Sequence, residues 1–269
     1  MKNFIPVYWS SYVEKGIRND LILANWCDYK FDKKDFNKGD RVCVTGVNRP
    51  TVKKYDGSDI EIEDLGDNNQ YIDITESDYV AFSVEDIDKA QADPEFFNAE
   101  FDEAKYALAA SADKFVGKLA KDADPNMMSS STDISAEVNP LAPIDAGRIK
   151  LYKNGVSQKE PLAADLNPEH CVILQSKLAS LFTDNNDYIK NSALGKYANI
   201  YLRMSNNLYN DGTDDYEMIR TKRATAFVDC VNKMEHAPRE KKFGEVVKGL
   251  HNYGAKLMRR KEMYVIKVH

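Results

Sequence analysis

Between Asp93 and Asp122 apolar residues return every three, four or seven positions: Phe97, Phe101, Ala104, Leu108, Phe115 and Leu119. That spacing lines one face of a helix. Asp93 is a suitable N-cap, and Pro94 suits the first helical position, where its missing N–H would have no partner in any case. Glu95, Glu100, Asp102 and Glu103 crowd the first half, whereas Lys114, Lys118 and Lys121 occupy the last turns, an order that complements the helix dipole. Asp124-Pro125 ends the pattern. The predicted rod is about 43 Å long, enough to span a small domain.

From Arg41 to Val84 the period changes to two. Val42 and Val44, Ile60 and Ile62, Ile72 and Ile74, and then Val80, Phe82 and Val84 alternate with polar residues, which predicts strands with one wet face. Turn residues (Gly46, Asn48-Arg49-Pro50, Asp56-Gly57, Leu65 to Asn69) divide them. The stretch Asn48–Gly66 holds few core-sized residues and many charges, so as a hairpin it cannot bury its own far end. Before it, Met1–Phe36 carries large apolar groups in short pieces, among them Trp9 and Tyr12, and reads as an arm. Exposed aromatics on such an arm would mark a partner surface.

Beyond the rod, Ala123–Ala146 shifts to Ser, Asn and Pro and reads as a linker or surface excursion. Asn154-Gly155 suggests a hairpin turn. Cys171–Leu174 has the look of a short buried strand, with a helix capped by Ser176 running to Leu181. Ala198–Met204, Ala224–Val231 and Tyr264–Val268 are β-rich. The sum is an α+β chain without a βαβ series or an internal repeat.

Composition narrows the options. With 269 residues, 43% hydrophobic and 30% charged, the chain can build one large or two medium domains. No run reaches membrane-span length and MKNFIPVYW lacks a signal-peptide layout. Cys27, Cys43, Cys171 and Cys230 form no CxxC pair and are expected to be reduced thiols of a cytosolically made protein. A net charge of −6 argues against a dedicated nucleic-acid binder, though not against a shell around nucleic acid.

The search for chemistry yields no catalytic constellation. Gly249-Leu-His-Asn-Tyr-Gly254-Ala-Lys256 nearly spells a phosphate loop, but Lys256 is one place late and Leu257 stands where a Mg²⁺-binding hydroxyl belongs. A tight glycine turn is the plainer expectation, with His251 packed or hydrogen-bonded inside it. His170 and Cys171 on a strand would face opposite ways and share no metal. His236, beside Glu235, is expected in a solvated turn before Pro238. Glu61, Glu63 and Asp64 read as a solvated strand edge. No cofactor and no metal is expected.

Several stretches taken together resemble a known family. FIPVYWSS, Arg49-Pro50-Thr51-Val52 followed by DIEIEDL, VEDIDKAQA leading into the rod, and KGLHNYGAKLMRR occur in the order found in major capsid proteins of tailed bacteriophages, nearest the coat-protein branch. The resemblance implies the Hong Kong 97-type fold. Met1–Phe36 would be the N-terminal arm, 37–84 the extended loop and its base, 85–122 the peripheral domain with its spine helix, 123–219 the axial domain, and 220–269 the return to the peripheral domain. NPEHCVILQSKLASLF and NSALGKYANIYLRMSNNL resemble the axial domain's strand-helix-strand run.

The resemblance further implies a subunit that assembles as hexamers and pentamers into an icosahedral shell. It would be made in the host cytoplasm and end in the virion, with scaffolding protein, portal, decoration proteins and non-specifically held double-stranded DNA as partners, and no membrane. Inter-subunit contacts would fall on Trp9, Tyr12, Arg41, Arg49, Tyr55, Ile60, Glu61 and Glu63, with Arg41 and Arg49 facing the acids of a neighbour. Some relatives link a lysine to an asparagine covalently; Lys53 and Lys54 lie on the loop, but nothing marks a partner for them. An encapsulin-type compartment shares this fold, and a soluble enzyme or binding protein built around His251 is the alternative outside it.

Overall fold

A computed structural model describes residues 21–29, 37–47, 54–55, 67–84, 94–135, 139–181, 195–238 and 245–269. In chain order the elements are β1 (Arg41–Val47), β2 (Asp67–Asp73), β3 (Glu76–Val84), α1 (Pro94–Lys118), β4 (Met128–Thr132), α2 (Ala142–Lys153), β5 (Leu162–Leu166) and α3 (Pro168–Leu181). There follow β6 (Lys196–Tyr197), β7 (Ile200–Met204), β8 (Tyr209–Asn210), β9 (Asp215–Thr221), β10 (Thr225–Pro238), β11 (Glu245–Leu257) and β12 (Met263–Val268).

Three sheets result. A seven-stranded mixed sheet runs β4-β12-β9-β5-β7-β6, with β8 on β9; a three-stranded sheet runs β10-β11-β3; β1 and β2 pair alone. The large sheet is covered on both sides, which explains why β5 and most of β9 are buried without alternation. Leu162, Ala164, Leu166, Ile219 and Ile266 form one core with Ile144 and Leu151 of α2 and Cys171 and Leu174 of α3. Met218, Val265 and Met263 belong to a second core with α1, residues 21–27, Phe227 and Tyr253. The third core is small: Val42, Val44, Ile72 and Ile74 lie against Ala226, Val228 and Cys230 of β10.

The rod begins at Pro94, as its capping signal predicts, and its last turn tightens to a 3-10 helix over Leu119–Asp122. Its buried face is made of Leu108, Ala109, Ala112, Val116, Leu119 and Ala120, with Phe115 half-buried. The stripe is therefore mostly small residues, which lets α1 sit close to its neighbours. At Gly117 a Cβ would come within 2.5 Å of the Asn207 carbonyl oxygen. The side chains of Phe97 and Phe101 lie outside the described residues.

Four local expectations are corrected. Cys171–Leu174 belongs to α3, not to a strand: Asn167 accepts a hydrogen bond from the His170 N–H at 2.7 Å, and Pro168 follows it, a helix start that outweighs the short apolar run. Asn154-Gly155 ends α2 and turns no hairpin. Gly155 has φ +87°, its N–H bonds to Tyr152 O, and the Val156 N–H bonds to Leu151 O, the Schellman arrangement of a helix C-terminus. Gly249–Lys256 is the interior of β11 and not a turn. Gly254 is needed there because a Cβ would strike the backbone of Asp73 and Ile74, where β11 passes the base of β2. His236 likewise lies in β10, ahead of Pro238.

The stretch taken as a linker, 123–146, contributes β4 and the start of α2. Within 220–269, β10 and β11 pair with each other and β11 packs beside α1, while β12 enters the large sheet between β4 and β9.

Candidate assembly surfaces

Two buried polar clusters lie on opposite faces of β9, and together they lock the described core. On the face toward α1, Asp165 of β5 accepts from Arg220 Nε at 3.2 Å and pairs with Arg203 of β7. Arg220 is fully buried; it also donates to Leu23 O at 2.6 Å, to Trp26 O at 3.3 Å and to the Thr225 hydroxyl. Arg203 donates to Ile22 O at 2.6 Å and lies over the Trp26 ring at 5.4 Å. From α1, the buried carboxylate of Asp113 accepts the N–H groups of Ile22 at 2.7 Å and Ala24 at 2.9 Å. Burial pushes the Asp113 carboxyl up, and those N–H donors pull it back. One short segment, 21–27, has its backbone groups bound by side chains from the rod and from two strands of the large sheet.

On the other face, Glu217 of β9 meets His170 of α3, both fully buried. Glu217 Oε1 accepts the Asn167 N–H at 2.9 Å; Oε2 lies 2.7 Å from His170 Nδ1, and His170 Nε2 lies 2.9 Å from the Pro140 carbonyl oxygen. A carbonyl only accepts, so Nε2 must carry a proton. The Nδ1–Oε2 bond then requires a second one, on either partner. Burial alone would push His170 down, but its bond to Glu217 outweighs that and moves it up; burial pushes Glu217 up against the same bond. The pair thus keeps one more proton than a neutral histidine beside a carboxylate. Cys171, buried next to it, is pushed up to about 12 by burial and by Glu217.

These clusters are closed to solvent and act as joints, not as sites for a substrate. His251 is also fully buried, under α1, with Nε2 at 3.5 Å from Asp229 Oδ2 and its ring 5.0 Å from that of Tyr253. No group of three or more His, Cys, Asp or Glu among the described residues is placed to hold a metal. All four cysteines are free thiols. Among the described residues no helix is long and apolar enough to cross a membrane.

The candidate contact residues fall differently. Arg41 pairs with Asp73 across β1 and β2 at 2.6 Å, and its guanidinium lies 5.3 Å from the Tyr71 ring centroid, so its first partner is in its own chain. Tyr55 is 76% exposed. Trp9, Tyr12, Arg49, Ile60, Glu61 and Glu63 lie outside the described residues. On the three-stranded sheet, Asp78, Val80 and Phe82 of β3 face α1, whereas Tyr79 points the other way and is 76% exposed.

Sequence reading missed Asp165, Glu217, Arg220, His170 and Asp113 as organising residues. The available signal was a charge inside an otherwise apolar strand, in Leu-Ala-Ala-Asp165-Leu and Tyr-Glu217-Met-Ile-Arg220. Such a charge is retained inside a core only when it is paired.

No family model matches the chain, and no curated protein matches it. Solved structures do. A chain from Mycobacterium phage Che8 matches with a TM-score of 0.70 and 23% identity over 91% of this chain and 90% of that one. A chain from the capsid of cyanophage P-SCSP1u matches with a TM-score of 0.64 and 14% identity over 90% and 86%. A virus-like particle from Pyrococcus furiosus matches with a TM-score of 0.59 and 12% identity over 96% of each chain. The long α1 beside a three-stranded sheet, the separate β1–β2 pair and the large mixed sheet thus form the fold of tailed-phage capsid proteins, the Hong Kong 97 type.

Proposed function

We propose that the protein is the major capsid protein of a tailed phage, assembling as hexamers and pentamers into the icosahedral shell that encloses double-stranded DNA. The observation that carries this reading is fold similarity across nine-tenths of both chains, with phage capsids prominent among the matches. The subunit works by shape and contact, not by chemistry on a substrate. Trp9, Tyr12, Arg49, Tyr55, Ile60, Glu61 and Glu63 make inter-subunit contacts, as does Arg41 once its bond to Asp73 is shared or exchanged. Scaffolding protein, portal and decoration proteins are its partners in the virion. The 1–36 arm, the 37–84 loop, and the peripheral and axial parts divide the labour as the sequence resemblance implies.

Electron microscopy of the purified chain, alone and with a scaffolding protein, tests this: rings and closed shells are expected, and soluble monomers under both conditions would refute it. A second reading rests on the match to the Pyrococcus furiosus virus-like particle: a compartment of encapsulin type without a genome. Nuclease-protected duplex DNA inside particles from the natural source decides for the phage shell; particles filled only with protein decide for the compartment.

A further inference from the structure

We propose that a basic cluster made by two adjoining turns receives the acidic segment Asp59–Asp64 of a second copy of this chain. The cluster joins Lys222 and Arg223, between β9 and β10, to Arg259, Arg260 and Lys261, between β11 and β12. The turns are fastened together: the N–H groups of Met258 and Arg259 both donate to Ala224 O, at 2.8 and 3.1 Å. Glu262 is the carboxylate bonded within the cluster, and Glu160 lies close enough to act on Arg223 as well. Glu262 binds Arg223 Nε at 2.8 Å, Arg259 Nη1 at 2.9 Å and the Thr221 hydroxyl at 2.8 Å. Burial pushes the Glu262 carboxyl up, but these three donors outweigh it and hold it ionised.

Two guanidiniums are therefore fixed in place, while Lys222, Arg260 and Lys261 are exposed and have no ion-pair partner among the described residues. Five cations face two carboxylates here, Glu262 and Glu160, in a chain whose net charge is −6. The acids that complement it are Asp59, Glu61, Glu63 and Asp64, four carboxylates in six positions. Arg41, expected from sequence to meet those acids, already pairs with Asp73 of its own chain, which leaves most of the acidic segment's charge for another partner. In a head-to-tail ring every copy offers both halves of such a contact, so one pairing closes the ring.

The inference rests on the capsid reading, and a charge exchange separates the two. One variant carries Arg260→Glu with Lys261→Glu; a second carries Glu61→Lys with Glu63→Lys. Each alone should keep its circular dichroism and melting temperature, yet assemble at least about tenfold less, because like charges now meet. Mixed in equal amounts, the two should alternate around six-membered rings and regain formation of those rings to within about threefold of the natural chain. If the mixture stays defective while the quadruple variant assembles, the contact lies within one chain and the proposal falls. It falls too if the first variant assembles normally and only loses packaged duplex DNA, which would make phosphate the partner. Should the natural chain itself form no rings, the capsid reading fails instead.

Discussion

The large sheet and the β1–β2 pair are both built of strands, but they are held by different means. Strands β9 and β12 of the former carry cores on both faces, and buried ion pairs join β5 to β7 and β9. The latter has two strands, one thin core of four residues against β10, and an outer surface of Arg41, Tyr71 and Asp73. Two strands alone are marginal in water. The chain thus spends its burial on a rigid centre and leaves the base of its loop with one face finished. A self-sufficient centre keeps its own shape; a half-finished rim offers an open face, which the proposed assembly would cover.

Substitutions should separate the two regions. Leu108→Asp, placing a charge among Ala112, Met218 and Tyr253, is expected to prevent folding outright, seen as absence of soluble protein or loss of near-ultraviolet dichroism. Asp165→Ala leaves two guanidiniums facing each other without their carboxylate and should cost about 3–5 kcal/mol in denaturant unfolding. Asp113→Ala strips the acceptor from two N–H groups and should cost about 2–4 kcal/mol by the same measurement, with Asp113→Asn recovering part of it. Ile60→Asp should shift unfolding by less than about 0.5 kcal/mol yet abolish shells in electron microscopy. Loss of folding in that last variant would erase the distinction between centre and rim.

The His170–Glu217 pair gives a pH test of the centre alone. Both groups are raised in the folded chain, so folding retains a proton. Between the ordinary values of 4.5 and 6.5 the unfolded chain also holds one, on histidine, and this pair contributes no slope. Above 6.5 the unfolded chain releases its proton first. Stability should then fall by up to about 1.4 kcal/mol per pH unit until the folded pair titrates. Glu217→Gln, whose amide can donate to Nδ1 while its oxygen accepts the Asn167 N–H, should flatten that slope; persistence of the slope would assign it elsewhere.

The rod was legible because capping, period and charge order all agree within one segment. The strands around 42–44, 70–84, 200–204 and 263–268 were legible by alternation and β-branching, whereas Gly46 and Asp67–Asn69, read as turn residues, lie within β1 and β2. What failed were dipeptides with two physical uses. Asn154-Gly155 serves a hairpin and a helix end equally, since both need a positive φ, and only the packing of Leu151 decides. Gly249 and Gly254 read as a turn because sequence does not reveal that β11 passes the backbone of β2. The buried joints were hardest to see. Asp165 and Arg220 are 55 residues apart, and nothing local says that β5 and β9 are neighbours.

The position of β12 bears on how the subunit is made. It lies between β4 and β9, parallel to the first and antiparallel to the second, and it follows both of them in the sequence. While the polypeptide is still emerging from the ribosome, the edges of β4 and β9 that β12 will occupy stay open. Such edges invite pairing with other nascent chains. Arrival of Met263–Val268 closes the sheet in a single late step. A chain interrupted before that point would lack a completed centre, and under the proposed function synthesis itself would then screen which copies are fit to join a shell.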